Sequence, residues 1–138
     1  MAFTCLNGFL LTTCGRVFSW GAKKCALGRA VDAVDLEDDS EIVKHSSKDI
    51  PTRRKEQPVD VGEVEIGLGL NIIKIATGRH HCLALDSKGF VYSWGSNEKG
   101  QLGHRLDDCD IPHKISTLSD IVQVYAGDYM SFAVDSIG

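Results

Sequence analysis

Two stretches of this sequence repeat one another, and that repeat constrains the fold more than any other feature. Residues 72–89 and 121–138 align without a gap at an offset of 49 residues, with six identical positions. Four further positions exchange one apolar residue for another, as in Leu83 for Phe132. A unit of this length is one supersecondary element, which cannot bury its hydrophobic face without stacked neighbours. The chain is therefore predicted to be part of a repeat array.

A second pair of segments overlaps the first and extends the unit. Residues 15–28 and 89–103 share the pattern Gly-x-Val-x-Ser-Trp-Gly and a closing Leu-Gly. Their tryptophans, Trp20 and Trp94, lie 74 residues apart, which is 25 more than the offset of the first pair. We interpret the excess as insertions in the first unit.

The local pattern predicts β-structure. Residues 72–76 are a short β-branched run, residues 81–85 are a second, apolar run, and residues 90–94 are rich in aromatic and β-branched side chains. Residues 86–89, Asp-Ser-Lys-Gly, have the chemistry of a tight turn and predict a hairpin between the last two runs. Apolar and polar residues do not alternate strictly, as is typical of sheets that are packed on both faces.

Several motifs together resemble the regulator of chromosome condensation repeat. They are Gly-x-x-His, an apolar strand, Gly-x-Val-Tyr-Ser-Trp-Gly and Gly-Gln-Leu-Gly. The Gly-Gly doublet of kelch repeats and the Trp-Asp pair of WD repeats are both absent from the sequence. The resemblance implies an all-β fold: a fragment of a seven-bladed β-propeller, with short antiparallel strands and a long charged loop insertion. About two repeats are expected in this chain.

The residues that carry the resemblance are expected to have structural roles. They are Gly15, Trp20, Gly21, Gly28, Gly78, His81, Gly89, Trp94, Gly95, Gly100, Gln101, Leu102, Gly103, Pro112, Gly127 and Gly138. Only the middle unit matches the whole pattern. Thr4 and Asn7 stand where that unit has Gly78 and His81, and Met130 replaces the histidine in the last unit.

These matches divide the chain into four parts. We predict a degenerate, partial first repeat over 1–28, a charged loop insertion over 29–71, a clean repeat over 72–120 and the start of a further repeat over 121–138. Two units leave outer faces and strand edges exposed. We therefore expect either a fragment of a longer protein or a chain that self-associates through its exposed blade edges.

The insertion has two interpretations. Its charged residues form either a solvated mobile loop or a partner-binding arm on the rim of the propeller. The residues of the predicted partner-binding loop are Asp35, Glu37, Asp38, Asp39, Glu41, Arg53, Arg54 and Lys55.

Composition excludes several classes of function. The net charge of −4 and pI of about 5.7 provide no basic surface for nucleic acid. Five cysteines without a Cys-x-x-Cys pair favour reduced thiols and a cytoplasmic or nuclear location. No signal peptide is predicted over the first residues of this sequence, because the first basic residue is Arg16. No apolar run approaches the roughly 18 residues of a membrane span, so no membrane partner is expected.

No catalytic, metal or cofactor site is predicted. Residues 95–100 have the glycine spacing of a phosphate-binding loop, but Gln101 and Leu102 replace its Lys and Ser/Thr. Residues 80–82, His-His-Cys, alternate between the faces of a strand and cannot share one ion. We expect His81 to make a structural hydrogen bond inside its blade. The acidic turn residues Asp86, Asp107, Asp108 and Asp135 are interpreted as solvated.

Three functions remain. The resemblance implies a scaffold that binds other proteins and is not an enzyme. It also implies two alternatives: a guanine-nucleotide exchange factor (or part of one), with a small Ras-like GTPase as partner, and the propeller segment of a large ubiquitin ligase. Fold alone does not choose among them.

Overall fold

Our computed structural model describes residues 1–4, 7–22, 26–30, 59–105 and 107–138. Those residues form an all-β structure in which every paired strand runs antiparallel to its neighbour. The strands are β1 (Ala2–Phe3), β2 (Asn7–Leu11), β3 (Val17–Gly21), β4 (Val59–Glu63), β5 (Ile72–Thr77), β6 (His81–Asp86), β7 (Val91–Gly95), β8 (Cys109–Lys114), β9 (Ile121–Ala126) and β10 (Ser131–Asp135). The expected fold class is confirmed.

Consecutive strands pair to form three sheets. Strands β1 to β4 form one four-stranded meander, which we call blade 1, and β5 to β8 form a second, blade 2. Strands β9 and β10 form a two-stranded sheet, the half-blade. The described residues thus make two blades of a propeller and the beginning of a third.

The hairpin predicted around residues 86–89 is confirmed, and the same register recurs in both blades. Cys82 of β6 lies opposite Trp94 of β7. Gly8 of β2 lies opposite Trp20 of β3, 74 positions earlier in each case. The repeat inferred from sequence is therefore also a repeat of strand pairing.

The structure differs from the sequence analysis within residues 29–71. Residues 59–63, which were assigned to the loop insertion, form β4, the outer strand of blade 1. In this strand Gly62 lies opposite Ser19, just as His113 of β8 lies opposite Ser93 in blade 2. Residues 31–58, including every residue of the predicted partner-binding loop, lie outside the described residues.

The apolar core lies between the sheets rather than inside any one of them. One cluster fills the junction of blade 1 with blade 2: Phe9, Val17, Val64, Ile72, Cys82, Ala84, Tyr92 and Trp94. Another fills the junction of blade 2 with the half-blade: Leu83, Leu85, Val91, Ile115, Ile121 and Val124. Blade 2 is covered on both faces, so every residue of β6 and β7 is buried, and strict alternation is absent.

A main-chain hydrogen bond joins each sheet to the next. The amide of Ile72, at the start of β5, donates to the carbonyl of Gly15 at 3.1 Å, and Ile121 donates to Gly89 at 3.1 Å. Both glycines end tight turns with φ of 77° and 82°, which other residues rarely adopt. A Cβ on Gly15 would collide with the side chain of Asn71. The turn glycines therefore allow close approach between sheets.

Because the core lies between sheets, the loss of unfolding free energy when a leucine is shortened to alanine should depend strongly on its position. Leu85→Ala removes a fully buried side chain from the second cluster and should lower the free energy of unfolding by about 2–5 kcal/mol. Leu68→Ala, at a fully exposed position, should change it by less than about 0.5 kcal/mol. Urea denaturation of both variants measures the difference. Equal losses would contradict the assignment of the core.

Candidate protein interface

Loops from successive sheets meet at one end of the structure. Residues 78–80 join β5 to β6, and residues 127–130 join β9 to β10. The amide of Arg79 donates to the carbonyl of Asp128 at 3.3 Å, and the amide of Ser96, just after β7, donates to the carbonyl of His80 at 2.9 Å. We call residues 78–80, 96 and 127–130 the upper rim.

The upper rim presents the side-chain types that dominate protein interfaces. The Arg79 guanidinium donates to the Tyr129 hydroxyl at 3.2 Å and lies 6.0 Å from the centroid of that ring. Tyr129 is 45% exposed, and the neighbouring Met130 is 56% exposed. Aromatic residues, methionine and arginine are enriched where proteins bind one another, and Tyr and Arg often carry much of the binding energy. The rim therefore offers a hydrogen-bonded Arg–Tyr pair beside an exposed apolar side chain.

In blade 1, β3 ends and β4 begins at the end of the sheet that corresponds to the upper rim. Gly21 at the end of β3 pairs with Val59 at the start of β4. The described residues before residue 31 extend towards the opposite end of β4, where the Gly28 carbonyl accepts the amide of Glu65 at 2.8 Å. The Ala30 amide donates to the Glu65 carboxylate at 3.0 Å. Residues 31–58 are thus flanked by the two ends of the outer strand of blade 1.

Beneath the rim, His81 connects blade 2 to the half-blade. Its Nε2 lies 2.9 Å from the hydroxyl of Ser131, which donates to the carbonyl of Gln101 at 2.7 Å. His81 is fully buried, and burial lowers the pKa of its imidazole. The expected hydrogen bond is present, but it crosses to the next sheet and does not stay within one blade.

Gly78 leaves room for that histidine. A Cβ at this position would collide with the imidazole of His81 and with the carbonyl oxygen of Gly127. The Gly78 amide donates to the His81 carbonyl at 2.9 Å. In blade 1, Thr4 and Asn7 make the same main-chain bond at 2.8 Å, and the Thr4 hydroxyl accepts the Asn7 amide at 2.9 Å. The degenerate repeat keeps the turn with different side chains.

The Leu-Gly segments fold back onto their own blades through a serine. The Ser93 hydroxyl donates to the Leu102 carbonyl at 2.8 Å, and Ser19 donates to Leu27 at 2.7 Å. Both serines are fully buried. Leu27 and Leu102 therefore make equivalent contacts although the residues that precede them, Ala26 and Gln101, differ.

Trp94 crosses from blade 2 to blade 1. Its indole nitrogen donates to the carbonyl of Ala26 at 3.1 Å, and its ring meets Phe9 edge-on at 6.1 Å between centroids. A Cβ on Gly28 would lie 2.8 Å from the indole nitrogen. Trp20, the equivalent residue of blade 1, packs over Gly8.

The other repeat residues occupy turns or an edge. Gly95 has a φ of 106°, and a Cβ there would collide with the carbonyl of His80. Pro112 is buried in β8, the last strand of its sheet, where proline is tolerated because no further strand needs its missing N–H. The other glycines of the repeat pattern that have a positive φ are Gly21, Gly28, Gly100, Gly103 and Gly138.

Asp86 corrects one interpretation of the sequence. It was expected to be solvated, but it is 1% exposed, and one carboxylate oxygen accepts the amides of Lys88 and Phe90, both at 2.9 Å. The other oxygen lies 3.4 Å from the Tyr92 hydroxyl; burial and the Asp86 carboxylate raise the pKa of Tyr92. Asp135 is exposed, and one of its carboxylate oxygens accepts the amides of Ile137 and Gly138. The Asp86–Asp135 identity in the repeat was the signal for this role.

The described residues bring together no candidate metal site, since no three His, Cys, Asp or Glu side chains converge in that part of the chain. The rings of His104 and His113 have centroids 6.0 Å apart; burial and His113 lower the pKa of His104. No helix long and apolar enough to cross a membrane occurs in the described ranges.

The comparison with protein families agrees with this geometry. The model described as "Regulator of chromosome condensation (RCC1) repeat" matches residues 88–134, and a second model of the same description matches residues 72–101. Residues 72–134 are repeats of the regulator of chromosome condensation family. The matched ranges contain blade 2 and most of the half-blade.

Relatives with these repeats are much longer proteins. Human Alsin is 44% identical over 71 residues, which is 49% of this chain and 4% of Alsin. The human E3 ubiquitin-protein ligase HERC2 is 44% identical over 69 residues, 48% of this chain and 1% of that protein. Protein pim1 of Schizosaccharomyces pombe is 30% identical over 132 residues, 93% of this chain and 20% of pim1. The chain therefore spans a fifth or less of each.

Solved structures extend the likeness of fold over nearly the whole chain. Yeast RCC1 (Prp20), in a crystal structure with Kap60, superposes with a TM-score of 0.71 at 20% identity, covering 99% of this chain and 29% of that one. Human WBSCR16 gives a TM-score of 0.65 at 23% identity, covering 97% of this chain and 30% of its own. At these identities the likeness concerns the fold, a part of an RCC1-type propeller.

The close contacts of Gly78 predict that substitution by alanine destabilises the fold at this position but not at Gly127, its equivalent in the next repeat. Gly78→Ala should lower the free energy of unfolding by about 1–3 kcal/mol. Gly127→Ala should cost less than about 0.5 kcal/mol, because its Cβ would meet first the exposed side chain of Met130, at 3.2 Å. Urea denaturation compares the two variants, and equal losses would refute the role assigned to Gly78.

The buried imidazole predicts a pH dependence of stability. The lowered pKa keeps His81 neutral in the folded chain, whereas in the unfolded chain it protonates as pH falls below about 6.5. The free energy of unfolding should therefore fall as pH drops through 6.5, until the folded pKa is passed. His81→Asn, which installs the residue of blade 1, should flatten this slope in urea denaturation between pH 7.5 and 5.5. The contribution of His104 remains in both proteins, so an unchanged slope would contradict the assignment.

Proposed function

We propose that this chain is a segment of a β-propeller that binds other proteins through the upper rim. The observation that carries the proposal is the Arg79–Tyr129 pair beside exposed Met130. The pair joins loops from two different sheets, so its geometry depends on the packing of blade 2 against the half-blade. A partner would therefore meet a surface that is ordered before binding, which lowers the entropic cost of association.

The comparisons support a binding role. Yeast RCC1 (Prp20) was crystallised bound to Kap60, and Prp20p of Saccharomyces cerevisiae, in a separate crystal structure, has binding properties to Gsp1p and histones. These binding partners are those of yeast RCC1 (Prp20) and Prp20p, respectively. For this chain we propose protein partners in the nucleus or cytoplasm and an action by binding, without a covalent reaction of its own. Residues 31–58 would extend the contact surface beside blade 1.

Exchange of guanine nucleotide on a small GTPase and a place in a large ubiquitin ligase are the alternatives. Within the described residues, no contact favours either over a general binding role. A small GTPase would still be one acceptable partner, since the upper rim needs only a complementary protein surface. Protein binding through the upper rim is therefore the function that the described residues support best.

Site-specific crosslinking tests the rim. A photoreactive amino acid at position 130 should give covalent adducts with specific proteins in a cell extract. The same amino acid at position 68 should not, because Leu68 is exposed in the β4–β5 connection, at the opposite end of the sheets. In the position-130 protein, Arg79→Ala with Tyr129→Ala should reduce adduct yield at least about tenfold if these residues are hot spots.

Two further measurements separate the outcomes. Deleting residues 31–57 should reduce adduct yield if that segment is part of the surface. Release of a fluorescent guanine nucleotide from any captured GTPase distinguishes an exchange factor from a simple binder. Equal adduct patterns from positions 130 and 68, unaffected by the rim substitutions, would refute the proposal.

A further inference from the structure

A buried imidazole lies directly beneath the two loops of the upper rim. His81 is the first residue of β6 and is fully buried. Its ring fills the space below Gly78, where a Cβ would collide with both the imidazole and the carbonyl oxygen of Gly127. Nε2 of the same ring lies 2.9 Å from the hydroxyl of Ser131, the first residue of β10. The imidazole therefore lies where the two loops meet.

The hydrogen bonds around this ring determine where its proton lies. The Ser131 hydroxyl donates its one proton to the carbonyl of Gln101 at 2.7 Å, so Nε2 of His81 donates to the Ser131 oxygen. In the neutral ring, Nδ1 then carries a lone pair and no hydrogen. Nδ1 is buried and has no hydrogen-bond partner among the described residues. A second proton on the ring must therefore be added at an enclosed atom.

A positive charge on this ring is unfavourable in the packed structure. Burial and the neighbouring His80 lower the pKa of His81, whereas the Met130 carbonyl opposes them. That carbonyl makes no hydrogen bond with Nδ1 in the structure. A charge without a partner in an enclosed site is costly. Protonation must therefore bring water or an acceptor to Nδ1, which requires the loops above the ring to move.

The other charged and titratable side chains around this junction point to solvent rather than to the ring. They belong to the two rim loops and to the segment that supplies the Gln101 carbonyl. All are exposed except His104, which is half-buried: Arg79, Glu98, Lys99, His104, Arg105, Asp128 and Tyr129. Of the titratable groups nearby, His80 is the one that changes the pKa of His81.

The loops above the ring are the ones that carry the Arg79–Tyr129 pair. The Arg79 guanidinium donates to the Tyr129 hydroxyl at 3.2 Å, and the Arg79 amide donates to the Asp128 carbonyl at 3.3 Å. Both bonds cross from one loop to the other. If the loops separate by about 1 Å, both distances exceed the range of a hydrogen bond. The rim pair and the buried ring therefore depend on the same contact between loops.

Blade 1 has no titratable group at the equivalent position. Asn7 stands in the place of His81 and is buried, and its amide donates to the Thr4 hydroxyl at 2.9 Å. A carboxamide side chain does not change its charge near neutral pH. Of the two junctions that the structure describes, the one beneath the upper rim is the one that carries a buried histidine.

We propose that His81 is a positioning residue for the upper rim, and that a proton on its imidazole separates the two rim loops and weakens partner binding. This role rests on the upper rim being the binding surface. The neutral ring allows the close approach that aligns Arg79 with Tyr129, and the charged ring opposes it. Because such coupling is reciprocal, a bound partner should in turn lower the pKa of His81.

NMR spectra of the free chain test the coupling without a partner. Between about pH 7.5 and about pH 4.5, the signals of the His81 ring, the Arg79 Nε–H and the Tyr129 ring should shift with one common midpoint. That midpoint should lie below the ordinary histidine value of about 6.5, as the direction of the pKa shift requires. The Trp94 indole N–H, at the junction of blades 1 and 2, should not shift, which shows that the fold is retained.

Two histidine variants assign the effect to one ring. His81→Asn, which places the blade 1 residue in blade 2, should abolish the shift of the Arg79 signal at that midpoint. His113→Asn removes an exposed histidine of β8 and should leave the shift unchanged. Urea denaturation at about pH 7.5 shows whether each variant folds. His81→Gln is the second neutral variant, and the comparison of midpoints in the unsubstituted chain needs no variant.

Partner capture tests the consequence for binding. The chain with the photoreactive amino acid at position 130 is mixed with dilute cell extract. One pH unit below the measured midpoint, about 90% of the imidazole is protonated. Adduct yield should then be about tenfold lower than at neutral pH, because only the remaining fraction is competent to bind. In the His81→Asn protein, the yield should change less than about twofold over the same range.

Different results would overturn the two proposals. The coupling is refuted by an Arg79 signal that stays fixed while His81 titrates, that shifts equally in the His81→Asn chain, or that shifts only together with Trp94. The control of binding is refuted by adduct yields with the same pH dependence in both proteins. Absence of adducts at every pH would instead exclude the upper rim as the binding surface, and the spectra would still decide whether His81 positions its loops.

Discussion

Each sheet of this chain is stable only because another sheet covers it. A single four-stranded meander has two apolar faces and cannot bury either alone, so the hydrophobic effect acts at the junctions. Blade 2 shows the result most clearly, since all six residues of β6 are buried. The half-blade shows the opposite case, because Phe132 and Val134 on its outer face are exposed. The contacts of the turn glycines and the placement of the upper rim loops both depend on how closely neighbouring sheets approach.

Close approach accounts for the residues that repeat. Gly15 and Gly89 present their carbonyls to the next sheet, and Gly78 makes room for a buried histidine. These positions require either a positive φ or room for a neighbouring atom where a Cβ would lie. Glycine satisfies both requirements, and other residues do so only with strain. The upper rim inherits its geometry from them, because the loops that carry Arg79 and Tyr129 begin directly at the packed ends of β5 and β9. The positions of the rim loops thus follow from the packing of the sheets at the junctions.

The sequence predicted the β-fold, the hairpin register and the repeat, because those depend on local patterns that occur twice. It did not predict β4, since Val59–Glu63 shares no residue pattern with Cys109–Lys114 beyond its place after Leu-Gly. Nor did it show that His81 bonds across a junction or that Asp86 is buried, because both facts depend on which sheet comes next. The Arg79–Tyr129 pair was missed for the same reason: its members are 50 residues apart and belong to different repeats.

Four of the polar contacts at the junctions have main-chain carbonyls as acceptors. Gly15, Ala26, Gly89 and Gln101 each receive a hydrogen bond from the following sheet through the peptide oxygen, whatever side chain they carry. Residues 26 and 101 can therefore drift in identity without loss of the bond. Blades that contact one another through main-chain acceptors can therefore differ in sequence and still form the same hydrogen bonds. Duplication or exchange of whole units in a gene would therefore keep these hydrogen-bond acceptors in place, although the apolar side chains of each new junction would still have to fit.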